Sequence, residues 1–352
     1  ALLAGAALGL AALEVLGADE EEAPAPLGVP LEALALPAVA GIAGATVLQL
    51  LPAGLLLVAG VGGAGAVVLK SLFEEQILAD MRESEIRTEM LWHPEALAYV
   101  QRMGLELGPT EYLQLVRDCK KAVSIPVIAS LHCVTPGLWI DYARRIEEAG
   151  ADAIELNISI MPSDPKRPSA DVESRCLDIV EGAARAVKLP VAAKIGPHFT
   201  SIAFMAKELW KRGASALVLF NRFYQFDIDL ATLSLKGAYR LSTPLEIALP
   251  LRWIALLSGK VKCDLSASTG VHDSAGAIKM LLAGATTVQL CSMLYLKGLG
   301  QIAATRDGVE TWMNERGMKS LDDVRGKLSQ MQSGAPELYE RLQYIKALVG
   351  IE

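Results

Sequence analysis

The stretch "IEEAGADAIELNIS", Ile146 to Ser159, decides the fold. It begins at the end of an amphipathic run, Leu138–Ala149, whose spacing predicts a helix. Gly150 follows, the residue type that most often ends a helix because it tolerates positive φ. The chain then enters Ala153–Ser159, an almost continuously apolar run. Such a run is how a strand covered on both faces reads. Helix, glycine and buried strand in that order form the unit of a parallel α/β sheet.

The unit recurs along the chain. Strand-like runs fall at Ala38–Ala43, Ala66–Ser71, Pro126–His132, Ala153–Ser159, Pro190–Gly196, Ala216–Asn221, Cys263–Thr269 and Thr287–Ser292. Helical stretches lie between most of them, at Val172–Val187, Ile202–Arg212 and Ala275–Ala283, with Gly213 and Gly284 placed as Gly150 is. Eight such units predict a (β/α)8 TIM barrel rather than an open sheet. Glu74 to Lys121 is too long for one crossover and predicts an insertion, a loop or lid, after the second strand. "SLDDVRGKLSQ" and "PELYERLQYIKAL" read as C-terminal helices on the outside. The expected organisation is an extension over residues 1–27 and one barrel domain over residues 28–352.

Composition narrows the function. Of 352 residues, 52% are hydrophobic, enough for a large core, and 33 basic against 40 acidic residues give a net charge of −7. No basic stripe is present, so nucleic acid and anionic membranes are poor partners. Ala1–Leu13 is too short to span a bilayer before Glu14, and Val47–Ala59 is interrupted by Pro52. Cys119, Cys133, Cys176, Cys263 and Cys291 are scattered, with no CxxC spacing. They read as reduced thiols of a cytoplasmic protein, without a metal or iron–sulfur site. Residues 1–69 contain no Lys, Arg, Ser, Asn, Cys, Met or aromatic residue. They read as an Ala/Leu-rich extension or, preferably, as letters recording side-chain size rather than a gene; peptide mass spectrometry separates the two.

Barrel chemistry lies at the C-terminal ends of the strands. Those ends carry Lys70 with Ser71, His132, Asn157 with Ser159, Lys194, Asn221 with Arg222, Ser268-Thr269-Gly270, and Ser292. A buried lysine needs an anion or a strong acceptor beside it. Either lysine can instead snorkel or pair with a carboxylate; two lysines with asparagines on intervening strands favour a shared ligand. "ASTGVHDSAGA" and "LCSMLYLKG" follow the last two strands. Their small residues let backbone N–H groups approach a phosphate, and a helix start adds its dipole. His272 and Asp273 read as helix-start residues. "GVGGAG", Gly60–Gly65, matches a dinucleotide fingerprint but leads into a β-branched run, so it reads as the loop before the second strand.

From about Gly65 onward the chain resembles the dihydroorotate dehydrogenase-like proteins, FMN-containing barrels related to the soluble class of those enzymes. The resemblance rests on "GAGAVVLKSLFEEQI", "IPVIASLHC", "AGADAIELNIS", "PVAAKIGPHF", "ALVLFNRFYQFDID", "LRWIALLSGKVKCDLSASTGVHD", "LLAGATTVQLCSMLY" and "SLDDVRGKLSQ". It is fainter at "LPAVAGIAGAT", where Pro37, Gly41 and Gly44 fit a first strand beside the flavin but the family's serines are missing. The resemblance implies FMN, with its phosphate on Thr269, Gly270, Cys291 and Ser292. Lys194 would face the pyrimidine side of the flavin, while Gly41, Lys70, Ser71, Asn157 and Asn221 line the ring and the substrate pocket. It also implies a small-molecule substrate and a homodimer.

The same resemblance exposes a departure. At the fourth strand end the family carries an asparagine, a serine and then a Cys or Ser base. Asn157 and Ser159 occupy the first two places, and Ile160 or Met161 stands where the base would be. Neither can accept a proton. Ser163 or Asp164 could substitute only if the loop folds back. The expectation is an oxidoreductase with Lys70, Asn157, Ser159, Lys194 and Asn221 at its centre, slow on dihydroorotate. The alternatives are an FMN-binding barrel without dehydrogenase activity and a Schiff-base aldolase using Lys194 or Lys70. A lid bearing Trp92, His93 and Glu95 would cover the flavin.

Overall fold

The computed structural model describes residues 46–49, 63–77, 108–137, 139–222, 225–238, 240–340, 345 and 349. Its strands, in chain order, are β1 Thr46–Gln49, β2 Ala66–Val68, β3 Leu72–Phe73, β4 Val127–Cys133, β5 Ala153–Ile158 and β6 Val191–Ile195. They continue as β7 Ala216–Leu219, β8 Gln225–Asp229, β9 Ser234–Ala238, β10 Asp264–Ala267 and β11 Thr287–Leu290. The helices are α1 Pro109–Ala122, α2 Ile140–Glu148, α3 Ser169–Ala186, α4 Ile202–Lys211, α5 Ala248–Leu257, α6 Ser274–Ala283, α7 Ser292–Lys297 and α8 Gln301–Asn314.

Eight strands pair in parallel and close on themselves. The ring runs β1, β2, β4, β5, β6, β7, β10, β11 and back to β1. Closure leaves the ring without a free edge, and all strand ends of one sense open on one mouth. Strand pairs such as Asn157 with Lys194 and His132 with Asn157 are in register, so their side chains share a face.

The helices cover the outside as their spacing demands. α2 buries Tyr142, Ala143 and Ile146, and α1 buries Tyr112, Leu113, Val116 and Cys119, the i, i+3, i+4 pattern of one apolar stripe. Complete burial of a side chain such as Ile146 contributes roughly 1.5–3 kcal/mol. Tyr112 also repairs a gap in the sheet. Its hydroxyl accepts from Ser130 N at 2.8 Å and donates to Ser130 O at 3.0 Å. Burial pushes that phenol well above its ordinary range, so it stays a donor. Gly150, Gly213 and Gly284 all have positive φ and end helices, as expected.

Several expectations are corrected. A first strand at Ala38–Ala43 lies outside the described residues; its place beside β11 and β2 is taken by Thr46–Gln49. The second strand stops at Val68, and Leu72–Phe73 pairs separately with β4, leaving Lys70 between them. The first C-terminal segment forms short 3-10 turns at Leu321–Asp323 and Gln330–Gln332 rather than an α-helix; the second opens with a 3-10 turn at Pro336–Tyr339, and Ile345 and Val349 beyond it are helical. Gly326, at φ +72°, breaks the first segment. The insertion after β2 is shorter than Glu74 to Lys121, because α1 belongs to the barrel's own layer and residues 74–77 are helical. Trp92, His93 and Glu95 lie outside the described residues. An unforeseen antiparallel ribbon, β8–β9, follows β7.

Candidate active site

The mouth is built around Lys194, near the end of β6. Only 4% of it is exposed, and its ammonium reaches Glu155 Oε1 at 3.3 Å and Gln289 Oε1 at 3.4 Å. Gln289 Nε2 donates to Glu155 Oε2 at 2.7 Å. Since β5 and β11 are not neighbours, these side chains meet inside the barrel. The ammonium has three donors, and two acceptors are found for it. Glu155 is in register with Ala192, two residues before Lys194, so the carboxylate comes from deeper in the barrel than the lysine. Removing one partner of a buried ion pair typically costs about 3–5 kcal/mol.

Two asparagines flank the lysine. Asn221 Nδ2 donates to Asn157 Oδ1 at 2.7 Å, across the strand that carries Lys194. The structure thus brings the Asn157 and Asn221 side chains into contact, with Lys194 on the strand between theirs and in register with Asn157. His132 stands in register with Asn157, and its ring lies 4.9 Å from that of Phe73. Burial lowers its pKa, opposed by the charge of Glu74, and Nδ1 has no partner. Ser71 shares a 2.7 Å contact with Ser130. Lys70, by contrast, is exposed and is not the second buried lysine the sequence suggested. Gly41 lies outside the described residues.

The turns after β10 and β11 converge through the loop before α5. Thr269 and Gly270 have φ of +78° and +82°. Thr269 Oγ1 donates to Phe220 O at 3.1 Å, and Ser292 Oγ accepts from Ser242 N at 2.9 Å. Ser242 Oγ in turn meets His272 Nε2 at 3.1 Å, while Asp273 caps α6 through Gly276 N at 2.7 Å. His272 and Asp273 are thus scaffold, as expected. The Thr269 hydroxyl thus donates to the protein, whereas the Ser292 hydroxyl accepts there and can still donate alongside the backbone amides of the turns. Cys291 precedes the first residue of α7; burial pushes its thiol up to about 11, against the opposing charges of Lys194 and Arg222. Those two cations are therefore its electrostatic neighbours.

At the end of β5, Ser159 is half-buried, Ile160 packs on the core and Met161 is 63% exposed. Ser163 and Asp164 are exposed, and Asp164 Oδ1 accepts from Lys166 N at 2.9 Å.

Sequence reasoning missed Glu155 and Gln289. Both were legible as lone polar letters inside apolar strands, "AIELNIS" and "TTVQLCS", since a buried polar side chain requires a partner. Ser130 and Ser242 carried no comparable signal. Among the described residues no cluster of metal-ligating side chains occurs, and no helix is long and apolar enough to cross a membrane.

A closed parallel barrel with a buried ammonium, two asparagines and two small-residue turns at its C-terminal mouth defines a barrel enzyme suited to a planar, anionic ligand. A sequence model of dihydroorotate dehydrogenase matches residues 92–313. The chain is 28% identical over 268 residues to the catalytic subunit of dihydroorotate dehydrogenase B (NAD(+)) from Methanocella arvoryzae, covering 75% of this chain and 85% of that protein. The subunit of the same name from Methanosarcina mazei is 28% identical over 317 residues, 83% of this chain and 90% of that one. The chain belongs to the dihydroorotate dehydrogenase family and is an oxidoreductase of the TIM-barrel type.

Proposed function

We propose that the chain is an FMN-dependent oxidoreductase acting on the CH–CH bond of a dihydropyrimidine-like substrate, and a poor dihydroorotate dehydrogenase. The observation that carries the reading is the buried Lys194 ammonium, on the strand between those of the hydrogen-bonded Asn157 and Asn221. The residues suit FMN. Backbone groups at Thr269, Gly270, Cys291 and Ser292 would hold the phosphate, with Arg222 and Lys194 nearby as positive charge. Lys194 would face the pyrimidine edge, and Gly41, Lys70, Ser71, Asn157 and Asn221 would line the ring and pocket. FMN, when bound, supplies the hydride acceptor.

The side chains then have separate tasks. Lys194 balances the negative charge that gathers at the edge of a reduced ring. Asn157 and Asn221 exchange their mutual hydrogen bond for amide and carbonyl groups of the substrate, and Ser159 borders the same pocket. Ile160 and Met161 offer no proton acceptor. A general base is typically worth about 10²–10⁴-fold, so dihydroorotate oxidation should be slow by that order. The aldolase reading requires a neutral amine at rest, whereas Lys194 sits on a buried carboxylate and Lys70 is exposed.

The decisive experiment is the visible spectrum of the purified chain, followed by anaerobic mixing with dihydroorotate. One extractable FMN per chain and slow bleaching are expected. A colourless chain that takes up no FMN refutes the cofactor; bleaching at the speed of an efficient dehydrogenase refutes the missing base.

Residues 28–352 are read as one domain preceded by an extension. The free thiols fit a cytoplasmic location. A second copy of this chain is the proposed partner. The ribbon β8–β9 exposes Phe226, Ile228 and Leu235, with Ile228 and Leu235 in register, and a lone two-stranded ribbon is marginal until covered. Monomeric sedimentation at micromolar concentration would overturn the dimer.

A further inference from the structure

We infer that Glu155 and Gln289 are positioning residues for Lys194, and that the charge of Glu155 sets how strongly the mouth favours an electron-rich ring over an oxidised one. The inference rests on the flavin reading and deepens it. Three strands contribute the trio, and Glu155, Lys194 and Gln289 are 1%, 4% and 5% exposed. The Gln289 amide bridges its two neighbours in the orientation their chemistry demands, oxygen toward the ammonium and nitrogen toward the carboxylate. Both carboxylate oxygens are therefore engaged, one by each partner.

The arrangement fixes aim and field together. Held by two acceptors inside the barrel, the ammonium is fixed in place. The carboxylate 3.3 Å beneath offsets much of the ammonium's field at a ring above it, because charges interact strongly in a dry interior. Lys194 by itself would favour the reduced, negatively charged ring; Glu155 moderates that preference. The protein thus carries a nearly neutral pair where a bare lysine would over-stabilise one redox state.

Glu155→Gln removes the charge while its amide still offers an oxygen to Lys194, giving up the hydrogen bond from Gln289 Nε2. The test is a dye-equilibrated reductive titration of the FMN-loaded full chain as wild type, E155Q, K194M and E155Q/K194M. E155Q should raise the preference for reduced flavin about tenfold, or ~30 mV for a two-electron couple. K194M should lower it. An E155Q potential at or below that of wild type overturns the inference. Melting midpoints of the four flavin-free chains give a second measurement. Each single variant should lower the midpoint, and the double should lose less than the sum; strict additivity overturns the pairing. A chain that binds no FMN yet shows this coupling refutes the flavin reading, and the redox role with it, while the clamp on Lys194 stands.

Discussion

Gly270→Ala probes the junction that shapes the phosphate-type turn. Gly270 has φ +82°, and a Cβ built there would lie 2.2 Å from Ile247 N, 2.6 Å from Ile247 Cα and 2.8 Å from Glu246 C. These are backbone atoms and cannot rotate aside, so the loop must retreat until the contacts open beyond 3.0 Å. The left-handed conformation costs an L-residue roughly 1–2 kcal/mol. Forcing a methyl group into packed surroundings adds roughly 1–3 kcal/mol. The sum, about 2–5 kcal/mol, corresponds to a fall in melting midpoint of about 3–7 °C for a chain of this size. The loop that moves also carries the Thr243–Glu246 capping box and the 2.9 Å Arg222–Glu246 ion pair, so FMN retention should fall with stability. Gly317→Ala is the control. Its φ is +65° with nothing within 4 Å of the added methyl, so it carries only the backbone cost. Thermal unfolding and flavin content of both variants decide the matter. Equal midpoints for G270A and G317A, with unchanged flavin in G270A, would show that the close approach of Gly270 to Ile247 is not what holds the turn.

Three further outcomes are expected. Tyr112→Phe deletes the hydroxyl that serves both Ser130 N and Ser130 O in a buried setting, and should cost about 1–3 kcal/mol in urea unfolding; a loss within error would mean the strand finds other partners. Asp273→Ala removes the N-cap of α6 and should cost about 1 kcal/mol, whereas Asp273→Ser should recover most of it. His132 and His272 are both held below their ordinary pKa, 6.5, by burial first, with Glu74 opposing at His132 and Lys297 adding to the effect at His272. The unfolded chain therefore takes up protons that the folded chain refuses, and stability should fall as pH drops below about 6.5. His132→Gln should lose less between pH 7.5 and pH 5 than wild type does; an identical loss would show that this ring does not titrate on unfolding.

The barrel was legible because its cause is local. Continuous apolar runs such as Ala153–Ile158, spaced by amphipathic stretches and closed by Gly150, Gly213 and Gly284, leave few ways to bury every strand on both faces. Boundaries were less secure where the pattern was weak. The place assigned to Ala38–Ala43 went to Thr46–Gln49, in a segment where apolar letters are nearly uniform and hold no register. The ribbon β8–β9 was written as the alternation of "FDIDLATLSL" but was not recognised. The asparagines, Lys194 and the two turns could be named from the sequence because strand ends of a barrel gather at one mouth.

Tertiary structure decided what those residues do for one another. Lys70 and Lys194 look alike in sequence, both following apolar strands, yet one is exposed and the other rests on Glu155 and Gln289. That difference arises from strands far apart in the chain: Glu155 and Gln289 are 134 residues apart. Local patterning specifies that a side chain is buried; only closure of the barrel specifies which charge waits for it inside. The hydroxyls of Thr269 and Ser292 make the same point. The family resemblance implies a phosphate at these turns, and the fold gives Thr269 Oγ1 an acceptor in Phe220 O and Ser292 Oγ a donor in Ser242 N, partners that only packing supplies.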